Sequence, residues 1–180
     1  MISEVGAPEA RSYVRVLAEA LRDERKKQSY SQEGFASHLG IDRARYGRIE
    51  RGQLDMRFAT LMEILEALNV QPEEFFRTIR LAKSPPRARQ SKRAIDVREP
   101  FRVPEEATTY CQVLGALVKH ERKQTGMNQE EFALEHGFAR SWFSGLESGR
   151  RNPSLAMVMR LVEALHQEPS QFFAHIRIPA

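Results

Sequence analysis

Shifted by 97 residues, this 180-residue chain reads onto itself: residues 13–79 lie over residues 110–176 without a gap, and about a third of the 67 paired positions are identical. Glu24-Arg25-Lys26 meets Glu121-Arg122-Lys123, and Gln32-Glu33 with Phe35-Ala36 meets Gln129-Glu130 with Phe132-Ala133. Gly40, Arg43, Glu50 and Gly52 meet Gly137, Arg140, Glu147 and Gly149, and Pro72 with Phe75-Phe76 meets Pro169 with Phe172-Phe173. A period this long exceeds a solenoid unit and marks two copies of one compact domain. Domains of this size fold alone with modest stability. The reading is therefore an N-terminal extension (1–12), a first domain (13–79), a connector (80–109), a second domain (110–176) and a short tail (177–180).

Charge and composition narrow the classes of function. The net charge is +4, yet Lys and Arg balance Asp and Glu within each repeat, and the connector carries the excess. A nucleic-acid partner would therefore have to be met by a basic patch on a definable face rather than by overall charge. One cysteine, Cys111, rules out an intrachain disulfide and suits a reducing compartment. The first residues show no basic n-region followed by an apolar stretch, and no apolar run approaches a membrane span. The expectation is a cytoplasmic protein with no membrane partner.

Within each copy the apolar spacing is helical. Val14, Leu17 and Leu21 mark a first helix reaching about Lys27, and Ser31 can cap a second whose stripe is Phe35, Ala36 and Leu39. Gly40 follows that stripe, where a left-handed residue stops a helix. Asp42 can cap a third helix with Tyr46 and Ile49 inward, Phe58, Leu61, Leu65 and Leu68 make a fourth, and Pro72 opens a short fifth. In the second copy Asn128 and Glu131 stand in capping-box spacing, whereas Ala139 replaces the Asp42 cap, a loss of about 1 kcal/mol. Pro85-Pro86, Pro100, Pro104 and six basic residues between Arg80 and Ala94 make the connector a linker, with Ile95, Val97, Phe101 and Val103 as its apolar points. The fold class is all-α: two tandem five-helix domains joined by a basic, proline-containing linker.

A short helix, a three-residue turn with glycine and a second helix form a helix-turn-helix. Gln32-Glu33-x-Phe35-Ala36, Gly40-Ile41 and Arg48-Ile49-Glu50-Arg51-Gly52 resemble the phage repressor and Cro (XRE) family. Gln129-Glu130-Glu131-Phe132-Ala133, Gly137-Phe138 and residues 144–149 followed by Arg151-Asn152-Pro153-Ser154-Leu155 resemble it more closely, in particular its restriction–modification controller branch. The resemblance implies repressor-like domains whose third helix enters the DNA major groove.

On that reading the outer face of the third helix carries the chemistry. The first copy offers Arg43, Ala44, Arg45, Arg48 and Arg51, with Arg57 just beyond; Arg43 and Arg48 match the family's base-reading positions, where a guanidinium grips guanine O6 and N7 together. Ala44 suits a thymine methyl. The second copy keeps Arg140 and adds Arg150 and Arg151, but holds Ser141, Trp142 and Gly145 where the first has Ala44, Arg45 and Arg48, with Ser144 alongside. Trp142 reads as half-buried packing against the second helix or as an edge on the phosphate backbone. Gly145 costs about 1 kcal/mol of helix propensity and lets a backbone approach closely. Family members direct the glutamine at Gln32 and Gln129 toward phosphate while bracing the reading helix, and Ser31 and Asn128 can add phosphate contacts from the same N-termini. Arg25 with Glu50, and Arg122 with Glu147, fall at the family's internal ion pair and read as structural. A solvated arginine face balanced by neighbouring acids is the bland alternative.

Nothing in the sequence points to an enzyme, a cofactor or a metal. His38, His120, His136, His166 and His175 lack ligand spacing with Cys111 or paired carboxylates, and no phosphate-cradling loop or nucleophile elbow is present. His38 and His136 read as exposed helix residues, and Met56, Met62, Met157 and Met159 as filling on the fourth helices. The expected partner is double-stranded DNA, bound by two non-identical readers in one chain or four in a homodimer. Family half-sites lie about 34 Å apart, and some 25 linker residues, partly polyproline-like at ~3.1 Å each, span more than twice that. The competing expectation is an antiactivator or antitoxin whose second helix-turn-helix, with Trp142 exposed, has turned to a protein partner.

Overall fold

The computed structural model describes residues 7–79 and 109–179, so the basic residues between Arg80 and Ala94 and the apolar points Ile95, Val97, Phe101 and Val103 lie outside the described residues. The described residues form ten helices: α1 (Ala7–Lys27), α2 (Gln32–His38), α3 (Arg43–Glu50), α4 (Phe58–Ala67), α5 (Pro72–Thr78), α6 (Tyr110–Gln124), α7 (Gln129–Glu135), α8 (Arg140–Glu147), α9 (Leu155–Ala164) and α10 (Pro169–Phe173). They run as two five-helix sets in the same order, and α1 begins six residues ahead of the repeat.

Local chemistry sets the boundaries. The Ser31 hydroxyl accepts from the Gly34 amide at the start of α2, and Asp42 accepts from Arg45 N at the start of α3. Asn128 and Glu131 close the capping box of α7, while Ala139 leaves α8 without a side-chain cap. Gly40 and Gly137 turn the chain between the paired helices at φ 63° and 67°, a region that costs a residue with a Cβ. In the second domain α6 comes so close to the end of α8 that a Cβ on Gly115 would stand 2.4 Å from the Leu146 carbonyl oxygen.

Phe35, Tyr46, Ile49, Phe58, Leu61 and Phe75 are fully buried in the first domain, as are Phe132, Phe143, Leu146, Leu161 and Phe172 in the second. Met62 and Met159 fill the core, whereas Met56 precedes α4 and Met157 is only half-buried. His38 is exposed as expected; His136 is half-buried at the end of α7 against the Phe132 ring, and burial lowers its pKa. Among the described residues one buried side-chain group lacks a hydrogen bond: the hydroxyl of Tyr46, enclosed beside Arg25 and Glu50 and pushed up in pKa by burial. Phe143 fills the matching place in the second domain. Tyr46→Phe should therefore leave stability unchanged or raise it by up to about 1 kcal/mol, since it removes an unmade bond rather than a made one. A loss above 1 kcal/mol in a urea melt would mean that the hydroxyl is partnered in solution.

The two domains pack through α4 and α5 against α9 and α10, and three pairs of hydrogen bonds between them exchange under the 97-residue shift. The Phe58 N–H donates to the Pro153 carbonyl at 2.9 Å, and the Leu155 N–H donates to the Met56 carbonyl at 2.8 Å, around an antiparallel bridge of Arg57 with Ser154. The Tyr13 hydroxyl donates to Glu163 at 2.6 Å, and the Tyr110 hydroxyl to Glu66 at 2.8 Å. Phe76 and Phe173 stack face to face at 3.9 Å. Equivalent residues that touch each other must lie on a twofold axis, so the Phe76–Phe173 and Arg57–Ser154 pairs locate an intramolecular pseudo-dyad.

Each domain also caps the other's fourth helix. Asn152 Oδ1 accepts from the Ala59 amide in the first turn of α4, which lacks a cap from its own residue Arg57. Asp55 Oδ1 accepts from the Ala156 amide in the first turn of α9, where a carboxylate also suits the positive end of the helix. Beyond the repeat, Ile178 is buried and its backbone exchanges hydrogen bonds with the Gln71 carboxamide.

Candidate nucleic-acid interface

The orientation of α3 and α8 rests on one buried construction, made twice. Arg25 Nε and Nη2 donate to the two oxygens of Glu50 at 2.6 and 3.1 Å, and Nη1 donates to the Tyr30 carbonyl. Arg122 meets Glu147 the same way at 2.6 and 3.2 Å, with Nη1 on the Met127 carbonyl. All four residues are less than 9% exposed. Each guanidinium thus ties its long first helix to the last turn of the third and to the turn before the second. Burial alone would raise the Glu50 carboxyl, but hydrogen bonds from Arg25 and Gln32 outweigh it and hold it below the ordinary carboxylate range.

Gln32 and Gln129 join the same network. Their side-chain amides donate to Glu50 at 2.7 Å and to Glu147 at 2.8 Å, so one N–H of each carboxamide is engaged inside its domain. Ser31 and Asn128 are exposed, with their oxygens already engaged as caps.

Arg43, Ala44, Arg45, Arg48, Arg51 and Arg57 are all exposed, while Tyr46, Gly47 and Ile49 face the core. Arg43 meets Glu33 at 3.2 Å and Arg140 meets Glu130 at 3.1 Å, equivalent pairs that hold each reading helix's first arginine against the preceding helix. Both pairs are more than 60% exposed, so each is worth at most about 1 kcal/mol and yields readily to a stronger anion. Arg57 has a second tie, donating to the Asn152 carbonyl across the domain boundary at 3.2 Å.

On α8, Ser141 is exposed and Ser144 half-buried. Trp142 is half-buried, but it stacks on Phe138 in the turn, 5.7 Å between centroids, rather than on the second helix. Gly145 does not open the helix to a close backbone approach. The Arg151 side chain folds back over it, and a Cβ there would come within 3.0 Å of Arg151 Nε. The cation missing at the place of Arg48 is returned by a residue six positions later. Arg51 does the same over Gly47 in the first domain, where a Cβ would stand 3.0 Å from its Nη1. Among the described residues no cluster of His, Cys, Asp and Glu could hold a metal ion, and no helix is long and apolar enough to cross a membrane.

Both five-helix units match helix-turn-helix family models, one over residues 21–75 and the other over residues 113–171. The chain belongs to the helix-turn-helix family of transcriptional regulators, as two XRE-type domains in tandem. An uncharacterized HTH-type transcriptional regulator of Methanothermobacter thermautotrophicus is 40% identical over 52 residues, 29% of this chain and 75% of that protein. One of Sinorhizobium fredii is 41% identical over 44 residues, 24% of this chain and 57% of that protein. No solved structure matches the chain significantly.

Proposed function

We propose that this chain is a non-enzymatic, sequence-specific double-stranded DNA-binding transcriptional regulator in which α3 and α8 read two unlike half-sites as a preassembled pair. The observation that carries the reading is the exchange of interdomain bonds under the 97-residue shift, which relates the two reading helices by a pseudo-dyad within one chain. Dimeric regulators of this class place two such helices on a palindrome through their molecular twofold. Here the twofold is internal and the helices differ, so the operator is an imperfect palindrome bound by a monomer. A cytoplasmic location follows from a DNA partner. The outer face of α8 presents Arg140 and Ser141, and Trp142 is half-buried on Phe138 rather than exposed, which favours the DNA reading over the protein-docking alternative.

The test begins with duplexes selected from a random pool by the full-length protein. Arg43→Ala and Arg48→Ala should each weaken the selected site by about 1–3 kcal/mol and relax discrimination at one base pair. Melting should be unaffected, because both side chains are exposed. Unchanged affinity for both variants would remove α3 as a reader, and failure to enrich any duplex would remove the DNA reading.

A further inference from the structure

Beside the pseudo-dyad, on the second domain's side, lies an open cleft of about 440 Å³ lined by Arg57, Trp142, Arg150, Arg151, Asn152 and Ser154, together with Pro153 and Met157. Three arginines line it and no carboxylate does. Among the described residues none of the three arginines forms an ion pair, in contrast to Arg43 and Arg140 at the tips of the reading helices. Arg57 is anchored on the Asn152 carbonyl and Arg151 is laid across Gly145, so two of the three cations are held in place. Three like charges lining one cleft repel, and an anion bound there offsets the repulsion.

The cleft has no twin. The pseudo-dyad maps Arg57 onto Ser154, Trp142 onto Arg45, Arg150 onto Gln53, Arg151 onto Leu54 and Asn152 onto Asp55. Ser154 maps back onto Arg57, so the related position holds two arginines, Arg45 and Arg57, in place of three, and gains the acid Asp55. Because Trp142 belongs to α8 and Arg57–Ser154 sits on the axis, the cleft runs from the reading helix to the centre of the assembly.

We infer that this cleft grips the sugar–phosphate backbone between the two half-sites on one side of the operator centre, so that the complex carries a built-in polarity. The inference rests on the DNA reading above and adds a second, one-sided anchor to it. Three guanidinium forks suit phosphate oxygens, and the half-buried indole supplies an apolar wall for a deoxyribose.

The experiment uses the full-length protein and the selected duplex. Phosphate-ethylation interference should show strong central phosphates on the half bound by the second domain and weak ones on the other half. Arg150→Ala combined with Arg151→Ala should erase those signals while leaving the α3 half-site pattern intact. The same double variant should flatten the log–log salt dependence of binding by about two, near 0.9 for each phosphate lost. Trp142 is the sole tryptophan of the sequence, so its emission should change on binding in the wild type and much less in the double variant. Arg150→Lys should keep most of the central interference, which separates lost charge from lost structure. A central pattern symmetric about the dyad, or an unchanged salt slope in the double variant, overturns the one-sided grip while the DNA reading stands. Absence of duplex binding by the wild type overturns both.

Discussion

Arg25→Ala should cost the first domain about 3–5 kcal/mol, because it strands the buried Glu50 carboxylate without its bidentate partner. For a domain of this size that is most of its stability. The measurement is a urea or thermal melt, read beside Arg43→Ala, whose exposed pair with Glu33 predicts almost no shift. The same site predicts an acid limb. The Glu50 carboxyl is held below its ordinary range in the folded state, so its contribution is complete above the unfolded value of about 4.3. It is lost as pH falls from there through the lower folded value. Glu50→Gln should remove this part of the pH dependence. A wild-type melting temperature flat from pH 5 to pH 3 would count against a depressed carboxylate.

Phe76→Glu should cut specific DNA affinity on the order of 10²-fold while leaving both domains helical. The substitution sets a carboxylate where two rings stack at 3.9 Å, and burying that charge against an aromatic face is unfavourable enough to part the domains. The linker keeps the halves near each other, so binding survives, but the orientation that the interface fixes in advance must then be purchased on the DNA. Small-angle scattering would show the separation and an operator titration the affinity. A variant that opens in solution yet binds like the wild type would show that the packed arrangement is not the binding form.

How far the sequence alone reaches is clearest at particular residues. The caps at Ser31, Asp42 and Asn128 and the turns at Gly40 and Gly137 were legible because their partners lie within a few positions. The Arg25–Glu50 and Arg122–Glu147 pairs were legible through the repeat and the family resemblance together. The domain interface was not. Phe76 reads in sequence like Phe75 beside it, since an apolar residue at helical spacing does not say whether it fills its own core or meets a neighbour's. The matched tyrosines Tyr13 and Tyr110 and glutamates Glu66 and Glu163 carried a signal, but only the shift applied across copies turns it into a contact. Asp55 carries no cap signal in sequence, because the helix it caps, α9, starts a hundred residues later. Arg151 was legible as a basic residue after α8 but not as the cation over Gly145, because a side chain folding back on its helix leaves no periodic trace.

The internal dyad also changes what concentration means for this regulator. A protein that must dimerise before binding loses occupancy faster than in proportion when its copies are diluted, and it can be poisoned by fragments or paralogues that exchange into its dimer. Here the face carrying Phe76, Met56 and Phe58 is already occupied by Phe173, Pro153 and Leu155 of the same molecule. Operator occupancy should therefore follow a simple hyperbola down to the lowest copy number. On the proposed monomeric binding, a cell holding a few molecules would show a graded response with no assembly threshold, and co-expressed single-domain relatives would find no vacant half to join.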